Sequence, residues 1–97
     1  MGSLRERDIE RRLVSEARER GGMAVKLVSP GIDGLPDRLV LMPGGKMAFV
    51  ELKRPGGKPR PVQRVRIRRL VSMGYGVYVV DGIEQIGEVL NAIESDL

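Results

Sequence analysis

Apolar positions along this chain recur with two periods, and the switches between them mark its elements. Between residues 4 and 20, Ile9, Leu13 and Ala17, with Val14 beside them, form a stripe at helical spacing. Gly21-Gly22 ends that helix. Residues 23–29 (Met-Ala-Val-Lys-Leu-Val-Ser) read as a strand, followed by a loop with two Gly and two Pro between Pro30 and Pro36. Apolar stretches at about 38–42 and 47–53 are joined by Pro43-Gly44-Gly45-Lys46, which predicts a β-hairpin. A second loop, 54–61, is rich in Pro, Gly and basic residues. The spacing then predicts a helix over 61–73, with Pro61 in its first turn, Gln63, Ile67, Leu70 and Gly74 on one face, and Gly74 as its cap. Residues 76–80 read as a buried-type strand, Asp81-Gly82 as a turn, and 83–94 as an amphipathic helix on Ile83, Ile86, Val89, Leu90 and Ile93. The predicted order is α-β-β-β-α-β-α. This is an α/β fold with a mixed central sheet flanked by helices, because the helix over 61–74 suits a crossover that lays strand 76–80 onto the hairpin sheet.

Composition narrows what such a fold can do. A chain of 97 residues predicts one domain spanning 1–97. With one Phe, two Tyr and no Trp, its core must be aliphatic, and burial in so small a monomer is marginal, which favours a homodimer. The helix over 61–73 carries a second apolar strip, Val62, Val65 and Met73, as the candidate interface. No long apolar run or signal-peptide pattern occurs, so a cytoplasmic location with no membrane partner is expected. The absence of Cys removes disulfides and thiolate metal sites. The absence of His removes His general bases, His–zinc ligation and catalytic triads. Any catalysis must run on carboxylates, Lys, Arg, Tyr or a metal held by oxygen.

Charge is distributed unevenly. The net charge is +4, and eight basic residues fall between Lys53 and Arg69 with no acidic residue from Leu52 to Val80. A solvated helix face usually mixes signs, so this block reads as a footprint for a phosphate backbone. Lys58, Arg60, Arg64, Arg66 and Arg68 are the candidate backbone contacts. The basic block alone would suit a non-catalytic nucleic-acid-binding module. Scarce aromatics argue against a single-strand platform, and no helix-turn-helix or zinc signature is present. A restriction-type enzyme reading a base sequence would have little room for a recognition domain. The loop over 54–61 also lacks the closing Gly-Lys-Ser/Thr of a nucleotide P-loop.

Chemistry concentrates in the hairpin. Gly34-Leu35-Pro36-Asp37 opens it, and Glu51-Leu52-Lys53 closes it. Residues two apart in a strand share a face, so Glu51 and Lys53 point together. Closure around Gly44-Gly45 brings Asp37 opposite Glu51. Two carboxylates and an ammonium then converge, an arrangement that can hold a hard divalent cation and stabilise developing negative charge. The Leu52 backbone carbonyl is placed to add one oxygen to such a cation. Glu6 and Glu10 project toward the apolar side of the first helix. A carboxylate there is costly unless paired or bound to metal, and Glu10, inside the helix, is the more notable.

These residues together resemble the PD-(D/E)xK nuclease superfamily, and within it the virus-type replication-repair nuclease (VRR-NUC) domain. The resemblance spans roughly 5–82. It rests on Glu10, Gly34, Pro36-Asp37, Phe49-Val50-Glu51-Leu52-Lys53, Gln63, Leu70 and Gly74. It implies a restriction-endonuclease-like core and Mg²⁺- or Mn²⁺-dependent phosphodiester hydrolysis. It also implies homodimers acting on branched DNA such as four-way junctions, in repair or recombination in a bacterial or phage-infected cell. By position, Asp37 and Glu51 would be metal ligands, Glu10 a ligand or outer contact, Lys53 the catalytic lysine and Gln63 a supporting polar residue. The one departure is the Pro-rich, basic loop after Lys53.

Overall fold

The Pro43-Gly44-Gly45 turn sets the register of the hairpin at the centre of the sheet. In the computed structural model, which describes residues 4–96, strands β2 (Arg38–Met42) and β3 (Lys46–Leu52) pair antiparallel from Met42 opposite Lys46 to Arg38 opposite Val50. Gly44 and Gly45 take φ of +84° and +74°, the left-handed region that glycine enters without a Cβ penalty. Strand β1 (Met23–Lys26) pairs antiparallel with β2, and β4 (Val77–Val80) runs parallel to β3. The sheet is mixed, in the order β1-β2-β3-β4. Helix α2 (Pro61–Ser72) makes the crossover between β3 and β4, while α1 (Glu6–Glu19) precedes β1 and α3 (Glu84–Glu94) follows β4. The element order is the one the apolar pattern predicts.

Strand alternation divides the sheet into unlike faces. Val40, Met42, Ala48, Val50, Leu52 and Val80 are buried on one face. Helices α1 and α3 cover it with Ile9, Leu13 and Ala17 and with Ile86, Leu90 and Ile93. Each large aliphatic side chain buried there contributes about 1.5–3 kcal/mol relative to exposure. The other face presents Leu39, Phe49, Glu51 and, just before β2, Asp37. Helix α2 covers it only in part, burying Gln63 and Leu70.

Two details depart from the expected pattern. Strand β1 stops at Lys26 rather than Ser29, although the Leu27 N–H still donates to the Asp37 carbonyl at 2.8 Å. Strand β4 starts at Val77 and is a sheet edge rather than a buried strand, with Val79 41% exposed. Among the described residues, no helix is long and apolar enough to cross a membrane.

Candidate active site

The register that pairs Arg38 with Val50 puts Asp37 beside Glu51 at the open end of the hairpin. The two are stitched together by reciprocal bonds. The Asp37 N–H donates to Glu51 Oε1 at 3.2 Å, and the Leu52 N–H donates to Asp37 Oδ2 at 3.0 Å. A strand residue's N–H and carbonyl leave the backbone on the same edge, so the Leu52 carbonyl lies toward Asp37. Lys53 sits on the Glu51 face, with Nζ 2.9 Å from Glu51 Oε2. From α2, Gln63 Nε2 donates to the same Oε2 at 2.6 Å. Four of the five predicted catalytic residues, Asp37, Glu51, Lys53 and Gln63, therefore form one hydrogen-bonded cluster.

The cluster is assembled by local rules. Gln63 occupies the third position of α2, where its Oε1 accepts the Arg60 N–H at 2.8 Å and closes the first turn, while its amide nitrogen faces the sheet. Gly34, at φ +86°, brings the Pro36-Asp37 segment against that same turn. A Cβ there would stand 2.9 Å from the Val62 carbonyl oxygen. Pro36 is fully buried beside it. Beyond Lys53, Asp81 accepts the Gly56 N–H at 3.3 Å and bonds Gln85 at 2.7 Å, anchoring the Pro-rich loop to the end of β4. Asp81 and Gly34 organise the site without carrying chemistry; the sequence singles out Gly34 but reads Asp81 only as part of a turn, and its neighbours in space reveal its role.

Glu51 is 1% exposed. Burial pushes its carboxyl above the ordinary range, and the neighbouring Asp37 charge adds to this. Lys53 and Gln63 oppose it by bonding the ionised form. A buried carboxylate facing a second carboxylate gains most from a cation between them. Among the described residues, no third Asp, Glu, His or Cys joins the pair. Two carboxylates, a nearby backbone carbonyl and open coordination positions fit Mg²⁺ or Mn²⁺, which keep waters and take oxygens from a bound phosphate. They do not fit a four-ligand zinc site.

Glu10 is not brought to this cluster. Its Oε2 lies 3.1 Å from Arg38 Nη2. Arg38 shares the sheet face of Val40 and Met42, opposite to that of Asp37 and Glu51. Glu10 does lie beside the core, as the helical spacing indicates, but its charge is met by a guanidinium. Among the candidate DNA contacts, Lys58, Arg60, Arg64 and Arg68 are exposed. Arg66 is instead engaged, with Nε donating to the Asp33 carbonyl at 2.8 Å. Arg60 also lies 3.8 Å from Asp33, in a solvent-exposed pair.

No protein-family model matches the chain. The chain is similar to "Putative nuclease p44" of Acyrthosiphon pisum secondary endosymbiont phage 1, at 48% identity over 93 residues. The match covers 96% of this chain and 99% of that protein. It is also similar to a solved VRR-NUC domain at 30% identity and a TM-score of 0.84, covering 92% of this chain and 97% of the other. With the fold and the strand order in agreement, the chain belongs to the VRR-NUC family.

Proposed function

We propose that this protein is a metal-dependent, structure-selective DNA endonuclease that hydrolyses phosphodiester bonds in branched DNA such as four-way junctions, acting as a homodimer. The observation that carries the reading is the convergence of Asp37, Glu51 and Lys53, with Lys53 Nζ 2.9 Å from the buried Glu51 carboxylate. A protein that only binds DNA gains nothing from two carboxylates placed to face phosphate. The similarity to a phage protein named as a nuclease supports the same reading.

Asp37, Glu51 and the Leu52 carbonyl would hold Mg²⁺ or Mn²⁺, which supplies a water of lowered pKa and neutralises charge on the phosphoryl oxygens. The chain's own residues do the rest. Gln63 and the Asp37 N–H fix the Glu51 carboxylate so that its position costs no reorganisation when substrate arrives. The Lys53 ammonium is on the same face and can orient the attacking water or offset charge accumulating on the phosphate. Lys58, Arg60, Arg64 and Arg68 would hold the backbone. Arg66 contributes less, because its Nε is committed to Asp33.

A C2 dimer matches the approximate two-fold symmetry of a four-way junction, which needs two symmetric nicks. Val65 and Met73, each 51% exposed, support the strip along α2 as the interface, with Val62 half-buried at its N-terminal end. The test is cleavage of labelled four-way junction, flap and linear duplex in Mg²⁺, Mn²⁺ or EDTA. Paired metal-dependent nicks in the junction alone are expected. Equal cutting of all three would overturn the junction preference, and binding without cutting in every metal would leave only a nucleic-acid-binding module.

A further inference from the structure

The arginines of the first helix fall into two sets. Arg5, Arg12 and Arg20, in or next to α1, pair with Asp8, Glu16 and Glu94. Arg7, Arg11 and Arg18 are exposed and form no ion pair or side-chain hydrogen bond among the described residues. Their spacing, i, i+4 and i+11, puts them on one face of the helix. That face borders a cleft of about 370 Å³ between α1 and the start of β2. Arg38 also lines the cleft, 3.1 Å from Glu10, which is the one carboxylate there. Arg38 Nη1 donates to the Ala24 carbonyl at 2.9 Å, while its buried Nε has no partner among the described residues. Four guanidinia line the cleft against that one lining carboxylate, and with Arg38 matched by Glu10 and Asp8 close to Arg7 and Arg11, the cleft keeps a net positive charge.

We propose that this row is a second phosphate-backbone site, which binds a segment of the DNA substrate other than the one being cut. Three observations select this ligand. The cleft is open and runs along the helix, which suits a linear polyanion better than a small enclosed anion. The row rises about 16 Å from Arg7 to Arg18, which laid along a duplex axis passes roughly five base-pair steps of about 3.4 Å. Unpaired exposed arginines repel one another, and a phosphate run relieves that repulsion while releasing condensed counterions. The row also lies on the α1 side of the sheet, with Arg38, whereas Asp37, Glu51 and the basic α2 block lie on the other. A substrate touching both must pass around the sheet edge, as a bent or branched DNA can. The proposal rests on DNA being the substrate, and it adds a residue-level basis for preferring branched over linear forms.

The test is fluorescence anisotropy of a labelled four-way junction in EDTA, across a salt series. The proteins are wild type, the triple variant Arg7→Ala/Arg11→Ala/Arg18→Ala, its Lys counterpart at the same three positions, and Arg12→Ala as a paired-arginine control. Each lost phosphate contact reduces the slope of log K against log[salt] by about 0.9. The Ala triple variant should therefore lower the slope by about 2–3 for each protomer engaged on the junction and weaken binding at least tenfold. The Lys variant should keep most of both, and Arg12→Ala should match wild type. Because all three positions are exposed, the melting temperature should stay within about 4 °C of wild type. Unchanged slope and affinity in the Ala variant would overturn the second site while leaving the nuclease reading intact. Failure of wild type itself to bind DNA would overturn both.

Discussion

Gln63 donates a 2.6 Å hydrogen bond to the buried Glu51 carboxylate, so the first turn of α2 and the end of β3 are fixed to each other by one amide. The other end of that amide closes the helix by accepting the Arg60 N–H. A single side chain thus caps a helix and orients a metal-ligand candidate.

Gln63→Ala removes a donor to a buried carboxylate and a helix-capping acceptor together. A buried polar group left without its partner costs about 1–3 kcal/mol. The variant should lose stability by that amount in urea unfolding. Cleavage at saturating Mg²⁺ should fall about 10- to 100-fold, the usual effect of deleting a group that orients a metal ligand. Full activity in a destabilised variant would restrict Gln63 to capping.

The pH dependence of stability follows from Glu51. Burial raises its carboxyl above the ordinary value near 4.5, so the folded state holds this proton more tightly than the unfolded chain. Between the unfolded and folded values the native state binds more protons, and stability falls as pH rises through that window. Metal-free protein should therefore show a Glu51 contribution to its melting temperature that is fully present below about pH 4.5 and is lost as pH rises from there through the raised folded value. Glu51→Gln should lack that decline. Adding Mg²⁺ at pH 8 should raise the melting temperature of wild type and leave Glu51→Gln unmoved. Identical pH profiles for the two proteins would contradict the assignment.

Gly34→Ala adds a Cβ at φ +86°, 2.9 Å from the Val62 carbonyl. Backbone strain of this kind costs about 1–3 kcal/mol. Because the clash is with backbone, the Asp37 segment and α2 must separate, and the Gln63–Glu51 bond stretches with them. Urea unfolding should register the strain, and cleavage should fall more than in a surface variant of equal stability.

Glu10→Gln tests the placement of Glu10 beside Arg38. Its carboxylate pairs with Arg38, and the Glu10 side chain is 34% exposed, so solvent screening holds the loss to about 1 kcal/mol or less. The Mg²⁺ concentration giving half-maximal cleavage should not change. A raised metal requirement would return Glu10 to the metal site.

The hairpin was legible because two constraints agree: glycines that reach positive φ at its turn, and strict alternation that leaves one register burying Val40, Ala48 and Val50. Asp37, Glu51 and Lys53 converge as a consequence. Gln63 was legible as the first member of the core-facing row of α2. Less legible was anything requiring knowledge of which sheet face a helix covers. Glu10 lies near the core in either case, and only the parity of Arg38 against Asp37 shows that it is on the wrong face for the cluster. The Val-Tyr-Val-Val run of β4 reads as buried, because apolar content cannot say whether a strand has one neighbour or two. The split of the α1 arginines into paired and unpaired sets depends on where α3 and β2 lie, which no spacing within the helix reveals.

The most direct test of the central claim is addition of Mg²⁺ to wild type, Asp37→Asn and Lys53→Ala, each pre-bound to labelled four-way junction in EDTA. Wild type should cut, both variants should lose about 10²-fold or more in rate, and all three should retain binding. Cleavage at the wild-type rate by both variants would contradict that claim.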